Sequence, residues 1–136
     1  MTAGYSKRSL VEKLGIRPGF RIAFLSAPQD YPKILGPLPQ NVEIKKQLVG
    51  PLDLVHAFCK QRQILGTDFS RWKQSLAPDG MLWVSWPKQS SGVSTDLNEN
   101  IVREVGLKNG LVDIKVCAVD ETWSGLKFVY RVKDRK

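Results

Sequence analysis

Two short and almost uninterrupted apolar segments, residues 21–25 and 52–59, constrain the fold of this chain more than any other feature. Segments of strand length that are apolar on both faces are typical of parallel strands covered by helices on either side. Antiparallel strands with one face in water alternate apolar and polar residues instead. The two segments therefore predict the centre of a mostly parallel sheet.

Proline and glycine interrupt the chain around the first apolar segment. Pro18 and Gly19 occupy the central positions of a predicted turn that leads into the first strand. Further prolines leave room for only a short helix near residues 33–35. Residues 42–48 are more polar, and we expect them to form a strand at the edge of the sheet.

Two predicted helices carry signals for their ends. An amphipathic helix is expected between Ser6, which can cap its start, and Gly15, which can end it. Asp96, followed three residues later by Glu99, predicts a capping box for a second helix. This second helix is expected to end at residues 109–110, an Asn-Gly pair.

A further helix and three strands complete the pattern. Apolar residues recur at helical steps over residues 65–76, which predicts a helix lying on a sheet. Residues 81–86 then predict a strand. Residues 111–119 and 126–132 predict two more strands, joined as a hairpin through residues 120–125.

The order of these elements predicts a single domain over residues 1–136, since this length suffices for one core but is short for two ordinary domains. The predicted fold class is α/β. It is a Rossmann-like, doubly wound fold with a mostly parallel six-stranded sheet, helices on both faces and a C-terminal antiparallel hairpin.

The chain is strongly basic, with 21 Lys and Arg residues against 13 Asp and Glu residues and a formal net charge of +8. A basic surface favours anionic partners such as nucleic acid, nucleotides or an acidic protein surface. The positive residues are scattered, and no helix-turn-helix, zinc-finger or aromatic RNA-binding signature accompanies them. Nucleic-acid binding is therefore an alternative rather than the leading hypothesis.

The content of cysteine and histidine argues against a metal site, because two cysteines and the single His56 show no ligand spacing. No apolar run approaches the roughly 20 residues that span a bilayer. Residues 1–8 are not followed by an apolar segment of signal-peptide length. We therefore expect no metal, no membrane contact and a cytoplasmic location, with Cys59 packed as a buried thiol.

Candidate ligand-binding residues follow the predicted strands, because ligands of doubly wound folds lie beyond the carboxyl ends of the strands. The loop that begins at residue 87 carries a lysine and serines before a capped helix, where backbone N–H groups favour anions. The predicted hairpin places carboxylates beside a tryptophan that can stack on a flat ligand. Both segments are equally typical of ordinary connections. The candidate residues are Ser26, Lys88, Ser90, Ser91, Asp120, Glu121 and Trp123.

Four blocks of the sequence, GIRPG, LGPLP, MLWVSWPK and VCAVDETWSGLK, resemble a bacterial family of unknown function over nearly the whole chain. That resemblance implies no established activity or catalytic residues. More loosely, LAPDGML at residues 76–82 and LDLV at residues 52–55 are similar to late motifs of S-adenosylmethionine-dependent methyltransferases. This second resemblance implies a truncated class I methyltransferase-like fold from which one helix–strand–helix segment has been removed.

The chain departs from the methyltransferase pattern at the two positions that bind the cofactor. Such enzymes use a glycine-rich turn after the first strand and an acidic residue at the end of the second. Here the first turn, residues 26–29, is Ser-Ala-Pro-Gln, and residues 45–48 are Lys-Lys-Gln-Leu. S-adenosylmethionine is therefore disfavoured, and we predict no cofactor.

The leading hypothesis is a non-catalytic, methyltransferase-like domain that binds an anionic small molecule or a protein partner at the carboxyl edge of the sheet. One alternative is a minimal S-adenosylmethionine-dependent methyltransferase that binds its cofactor atypically. Another is a basic nucleic-acid-binding module. The sequence leaves open whether the chain is an enzyme.

Overall fold

A computed structural model describes residues 9–135 and shows helices and strands in alternation. The elements in chain order are α1 (Leu10–Leu14), β1 (Arg21–Leu25), α2 (Tyr31–Leu35), β2 (Glu43–Ile44), β3 (Leu52–Phe58), α3 (Arg62–Gln74), β4 (Leu76–Pro87), α4 (Glu99–Lys108), β5 (Leu111–Ala118) and β6 (Trp123–Tyr130).

The six strands form one sheet in the order β2-β1-β3-β4-β6-β5. The pairs β2–β1, β1–β3 and β3–β4 are parallel, whereas β4–β6 and β6–β5 are antiparallel. The predicted mostly parallel sheet with a C-terminal hairpin is therefore confirmed. The chain crosses from β1 to β2 in one direction and from β3 to β4 in the other, so the topological switch point lies between β1 and β3.

Helices cover both faces of the sheet, as predicted. On the α3/α4 face, α3 contributes Leu65, Phe69 and Trp72 to the core, and α4 contributes Val102. The opposite side, the α1/α2 face, is covered by α1 and α2 with the residues Leu10, Val11, Leu14, Tyr31 and Leu35. Among the described residues, no helix has both the length and the apolar character needed to cross a membrane.

Helix α1 begins at Leu10. Ser9 caps it in a capping box, because the Glu12 N–H donates to Ser9 Oγ and the Ser9 N–H donates to Glu12 Oε1, both at 3.2 Å. The predicted cap, Ser6, lies outside the described residues. Gly15 ends the helix as predicted, with a left-handed φ of 85° that favours glycine.

The predicted capping box of α4 is wrong. Asn98 caps this helix, because its Oδ1 accepts a hydrogen bond of 2.9 Å from the Ile101 N–H. Asp96 Oδ1 instead accepts from the Arg62 N–H at 2.7 Å and so caps the start of α3. Asp96 therefore connects the loop before α4 to a distant helix, which a local capping signal does not reveal.

Three strand boundaries also differ from the prediction. The edge strand is limited to β2, whose two residues are exposed and contribute nothing to the core. Leu76 ends the predicted helical stripe but belongs to β4, because it pairs with Leu52. Strand β6 begins at Trp123 rather than at Leu126, so the hairpin turn is shorter than expected.

Two helical glycines give a matched test of this packing. A side chain at Gly106 of α4 would overlap the ring of Phe128, whereas nothing lies within 4 Å of the corresponding position at Gly66 of α3. We expect Gly106→Ala to lower the free energy of unfolding by about 1–3 kcal/mol. Gly66→Ala should raise it by about 0.5–1 kcal/mol, because alanine favours the helix.

Urea unfolding of the two variants measures both effects. Equal responses of Gly106→Ala and Gly66→Ala would contradict the packing of α4 against β6.

Candidate functional site

The carboxyl ends of the parallel strands and the β5–β6 turn lie along one edge of the sheet. Pro87 at the end of β4 pairs with Trp123 at the start of β6. The Lys88 N–H then donates to the Thr122 carbonyl oxygen at 2.7 Å. The loop after β4 and the hairpin turn are therefore side by side, and this edge is called the carboxyl edge below.

A cleft of about 420 Å³ lies at the topological switch point on the carboxyl edge. Its apolar side includes Phe58 and Ile64, and the side chain of Lys60 is the cation among its lining residues. None of the lining residues is acidic. The full set, which defines the switch-point cleft, is Ser26, Pro28, Phe58, Cys59, Lys60, Gln61, Ile64 and Trp123.

Ser26, directly after β1, has an unusual backbone conformation. Its φ is 54°, in the left-handed region that residues other than glycine rarely adopt. Such conformations concentrate at functional sites, where the surrounding structure holds them in place. The turn that faces the cleft thus has a glycine-like conformation although its sequence contains no glycine.

A second cleft, of about 750 Å³, lies between the loop after β4 and the start of α4, and we call it the loop cleft. Lys88 and Ser124 line it, together with residues 92–99. The segment between the two clefts is fixed to the end of β3, because Thr95 Oγ1 donates to the Lys60 carbonyl oxygen at 2.6 Å. The two clefts are therefore neighbours on the carboxyl edge.

Three of the seven predicted residues line these clefts. Ser26 and Trp123 line the switch-point cleft, and Lys88 lines the loop cleft. Trp123 is only 8% exposed, so it presents a small part of its surface to the cleft. Their binding role stays a prediction.

The other four predicted residues line neither cleft. Ser91 Oγ donates to the Lys88 carbonyl oxygen at 2.6 Å and thus shapes the loop. Asp120 Oδ1 accepts from the N–H groups of residues 122 and 123 and thus closes the hairpin turn. Ser90 and Glu121 are exposed on the same edge.

Lys60 is a cleft residue that the predicted set did not include. It lies two residues after the end of β3, one of the two strands that flank the switch point. The sequence places Lys60 at the carboxyl end of a predicted strand, where ligands of such folds lie, but Lys60 belongs to no motif and is not among the seven candidate residues.

A chain of three buried side chains lies behind the switch-point cleft. The Tyr31 hydroxyl and His56 Nδ1 are 2.7 Å apart, and His56 Nε2 and Ser85 Oγ are also 2.7 Å apart. These residues are 1%, 0% and 0% exposed, respectively. Burial lowers the pKa of His56 to about 3, so the imidazole is neutral in the folded protein.

Tyr31 fills the first crossover of the fold. Its ring packs edge-on against Phe58, which in turn packs edge-on against Trp123, and both pairs of ring centroids are 5.1 Å apart. Burial also raises the pKa of the Tyr31 hydroxyl. The Tyr31–His56–Ser85 chain is closed to solvent and joins α2, β3 and β4 behind the cleft.

Cys59 lines the cleft, but its thiol adds little reactivity there. Burial raises the pKa of the Cys59 thiol, which also donates to the Gln61 carbonyl oxygen at 3.2 Å. A protonated, buried thiol is a poor nucleophile. Within residues 9–135, no group of three or more His, Cys, Asp or Glu side chains is placed to hold a metal ion.

Solved structures show that the chain has the fold of class I methyltransferases. A S-adenosylmethionine-dependent methyltransferase from Aquifex aeolicus matches 88% of this chain and 86% of its own, with a TM-score of 0.60 and 12% identity. Fibrillarin from Aeropyrum pernix, in complex with S-adenosyl-L-methionine, matches 88% and 73%, with a TM-score of 0.56 and 16% identity.

A third similar structure is the magnesium protoporphyrin IX methyltransferase of Synechocystis with bound S-adenosylhomocysteine. It matches 90% of this chain and 78% of its own, with a TM-score of 0.54 and 14% identity. At these identities the likeness establishes the fold alone. No protein-family model matches the chain, and no curated protein is similar to it in sequence.

The hydrogen bonds among Tyr31, His56 and Ser85 predict that two tyrosine substitutions differ in their effect on stability. Tyr31→Phe keeps the ring but leaves His56 Nδ1 buried without a partner, so we expect it to lower the free energy of unfolding by about 1–3 kcal/mol. Tyr130→Phe removes a hydrogen bond of 3.0 Å to the Lys73 carbonyl oxygen in a half-buried position, where water can replace the hydroxyl. Its expected cost is about 0.5–1 kcal/mol.

Urea unfolding of both variants checks this ordering. A smaller loss of stability in Tyr31→Phe than in Tyr130→Phe would contradict the hydrogen bond to His56.

Proposed function

We propose that the chain is a non-catalytic small-molecule-binding domain of the methyltransferase fold and takes an anionic ligand in the switch-point cleft. The observation that carries this proposal is the composition of the cleft, which has one cation, no acid and several apolar side chains. Doubly wound folds bind their ligands at this place. The cleft volume lies within the range of roughly 300–1,000 Å³ that is typical of small-molecule sites.

The side chains of the cleft favour a ligand with two chemically different ends. Phe58, Ile64 and the exposed edge of Trp123 offer apolar surface. Lys60 offers a charge that a phosphate or carboxylate can neutralise. An aromatic or aliphatic phosphate or carboxylate fits both features.

The lining of the switch-point cleft offers no accessible base, which supports a binding role rather than catalysis. His56 is fully buried and neutral, and the thiol of Cys59 stays protonated. The described residues that line the cleft include no carboxylate that can accept a proton. A protein partner at the carboxyl edge stays an alternative. The resemblance to the bacterial family of unknown function stays a prediction.

A second candidate is a minimal methyltransferase that binds S-adenosylmethionine in the same cleft. The left-handed backbone at Ser26 favours this candidate, because related enzymes place a glycine-rich turn at that point of the chain. The structures of similar proteins with bound S-adenosylmethionine or S-adenosylhomocysteine also support it. Both candidates use one cleft but require different ligands.

A thermal-shift and calorimetric titration distinguishes the candidates with two probes, adenosine monophosphate and S-adenosylhomocysteine. The proposal predicts that the phosphate-bearing probe binds and that S-adenosylhomocysteine does not, because the ammonium group of S-adenosylhomocysteine offsets its carboxylate and is repelled by Lys60. A ligand present at about 100 times its Kd stabilises the folded state by about 2.7 kcal/mol, which raises the melting temperature by several degrees. Micromolar binding of S-adenosylhomocysteine would instead establish the second candidate.

Lys60→Gln is the variant that locates the ligand. It removes the charge but keeps the backbone carbonyl that holds Thr95, so the fold is expected to persist. We expect the affinity for adenosine monophosphate to fall by about 10- to 100-fold, because a hydrogen bond to a charged group contributes roughly 1.5–3 kcal/mol.

The matched control is Lys108→Gln, which removes a charge at the far end of α4 and should leave the affinity unchanged. Equal losses in both variants, or no binding of the phosphate-bearing probe to the parent protein, would rule out the proposed site.

A further inference from the structure

Two lysines face each other on the α1/α2 face of the sheet. Lys115 on β5 and Lys127 on β6 are directly opposed in the antiparallel ladder. Lys127 also pairs with Trp83, whose side chain belongs to the core of the α1/α2 face. Directly opposed side chains lie on the same side of a sheet, with Cβ atoms about 5 Å apart. Both lysines therefore project from the α1/α2 face.

Arg17 brings a third positive charge to the same place. Lys127 Nζ lies 3.8 Å from the point at which a side chain on Gly15 would begin, and Arg17 follows two residues later in an exposed turn. Burial and the charges of Lys115 and Arg17 lower the pKa of Lys127. Arg17, Lys115 and Lys127 together are called the basic patch below.

Within the part of the chain that the structure describes, no acidic side chain forms an ion pair with the basic patch. None of the ion pairs or side-chain hydrogen bonds found over residues 9–135 includes any of its three residues. By contrast, Arg103 on the α3/α4 face pairs with Asp113 at 2.8 Å and with Glu99. Like charges that are directly opposed in a sheet destabilise it.

Packing alone does not explain this arrangement. The carbonyl end of α1 favours a cation at Lys127, but the helix has only five residues and its influence ends within its last turn. It does not account for Lys115 or Arg17. The arrangement is explained if an external polyanion neutralises all three charges.

We propose that the basic patch binds the phosphodiester backbone of a nucleic acid strand. Three clustered cations require several negative charges within a few ångströms of one another. Each strand of a double helix presents about one phosphate per 3.4 Å of helix axis, whereas a single carboxylate carries one negative charge and a phosphate monoester about two. This surface is separate from the switch-point cleft and does not depend on the ligand proposed there.

The test compares two double variants that lose the same charge from opposite faces. Lys115→Gln with Lys127→Gln removes two charges from the basic patch. The control, Arg71→Gln with Lys108→Gln, removes two charges from α3 and α4, where they form only exposed pairs with Asp68 and Glu104. Fluorescence anisotropy with a single-stranded oligonucleotide measures affinity across a salt series.

We expect the patch variant to bind more weakly than the parent at low salt. The slope of log affinity against log salt concentration should fall by about 1.4, because each lost contact with a single strand contributes about 0.7. The control should keep the slope of the parent. The melting temperature of the patch variant should be equal to or higher than that of the parent, because the substitutions relieve repulsion.

Arg17→Gln provides a second variant in an exposed turn, where it does not threaten folding, and should lower the slope by about 0.7. Three results would overturn the proposal. They are equal losses in the patch and control variants, no binding by the parent protein, and binding of polyglutamate as tight as that of the oligonucleotide. The last result would assign the surface to an acidic protein instead.

Discussion

The hydrogen-bonded chain of Tyr31, His56 and Ser85 is the constraint on which the arrangement of this fold depends. It joins α2, β3 and β4 through three side chains that are fully buried or almost so. A buried polar group that loses its partner costs about 1–3 kcal/mol, so each member of the chain fixes the position of the others. Gly125 faces Ser85 across the β4–β6 ladder, where a side chain would begin only 3.2 Å from Ser85 Oγ.

This constraint explains how a shortened methyltransferase-like fold closes its first crossover. The connection from β1 to β2 contains only the short helix α2, and Tyr31 at its start packs against Phe24, Phe58 and His56. The space behind the carboxyl edge is therefore filled by protein side chains. What stays open is the switch-point cleft and the loop cleft beside it, while the basic patch lies on the α1/α2 face.

The architecture was predictable from the sequence because it depends on local patterns. Residues 21–25 and 52–59 are largely apolar, which is typical of parallel strands covered by helices on both faces. Two other features also depend on local signals. The apolar stripe that begins at Leu65 predicts α3, and Asn109 predicts the end of α4.

The details that failed depend on partners far along the chain. Asp96 caps a helix that begins 34 residues earlier, so a nearby glutamate at the right spacing gave a false capping box. His56 meets Tyr31 and Ser85 across separations of 25 and 29 residues, and no motif joins the three. The position of Lys60 in the cleft could be recognised only from the strand order. The site was therefore less predictable than the fold.

NMR of the imidazole nitrogens across a pH series tests most directly whether Tyr31 and His56 are closed to water. His56 is the only histidine in the sequence, so its signals are unambiguous. The pKa of His56 is lowered from 6.5 to about 3 by burial. Above pH 6.5, the pKa of the unfolded state, the neutral ring therefore makes its full contribution to the free energy of unfolding. This contribution declines as the pH falls from 6.5 towards 3. The account predicts a neutral ring in a single tautomer from about pH 8 down to about pH 5. Protonation of the folded protein with an apparent pKa near 6.5 would show that Tyr31 and His56 are open to water, and would contradict the account.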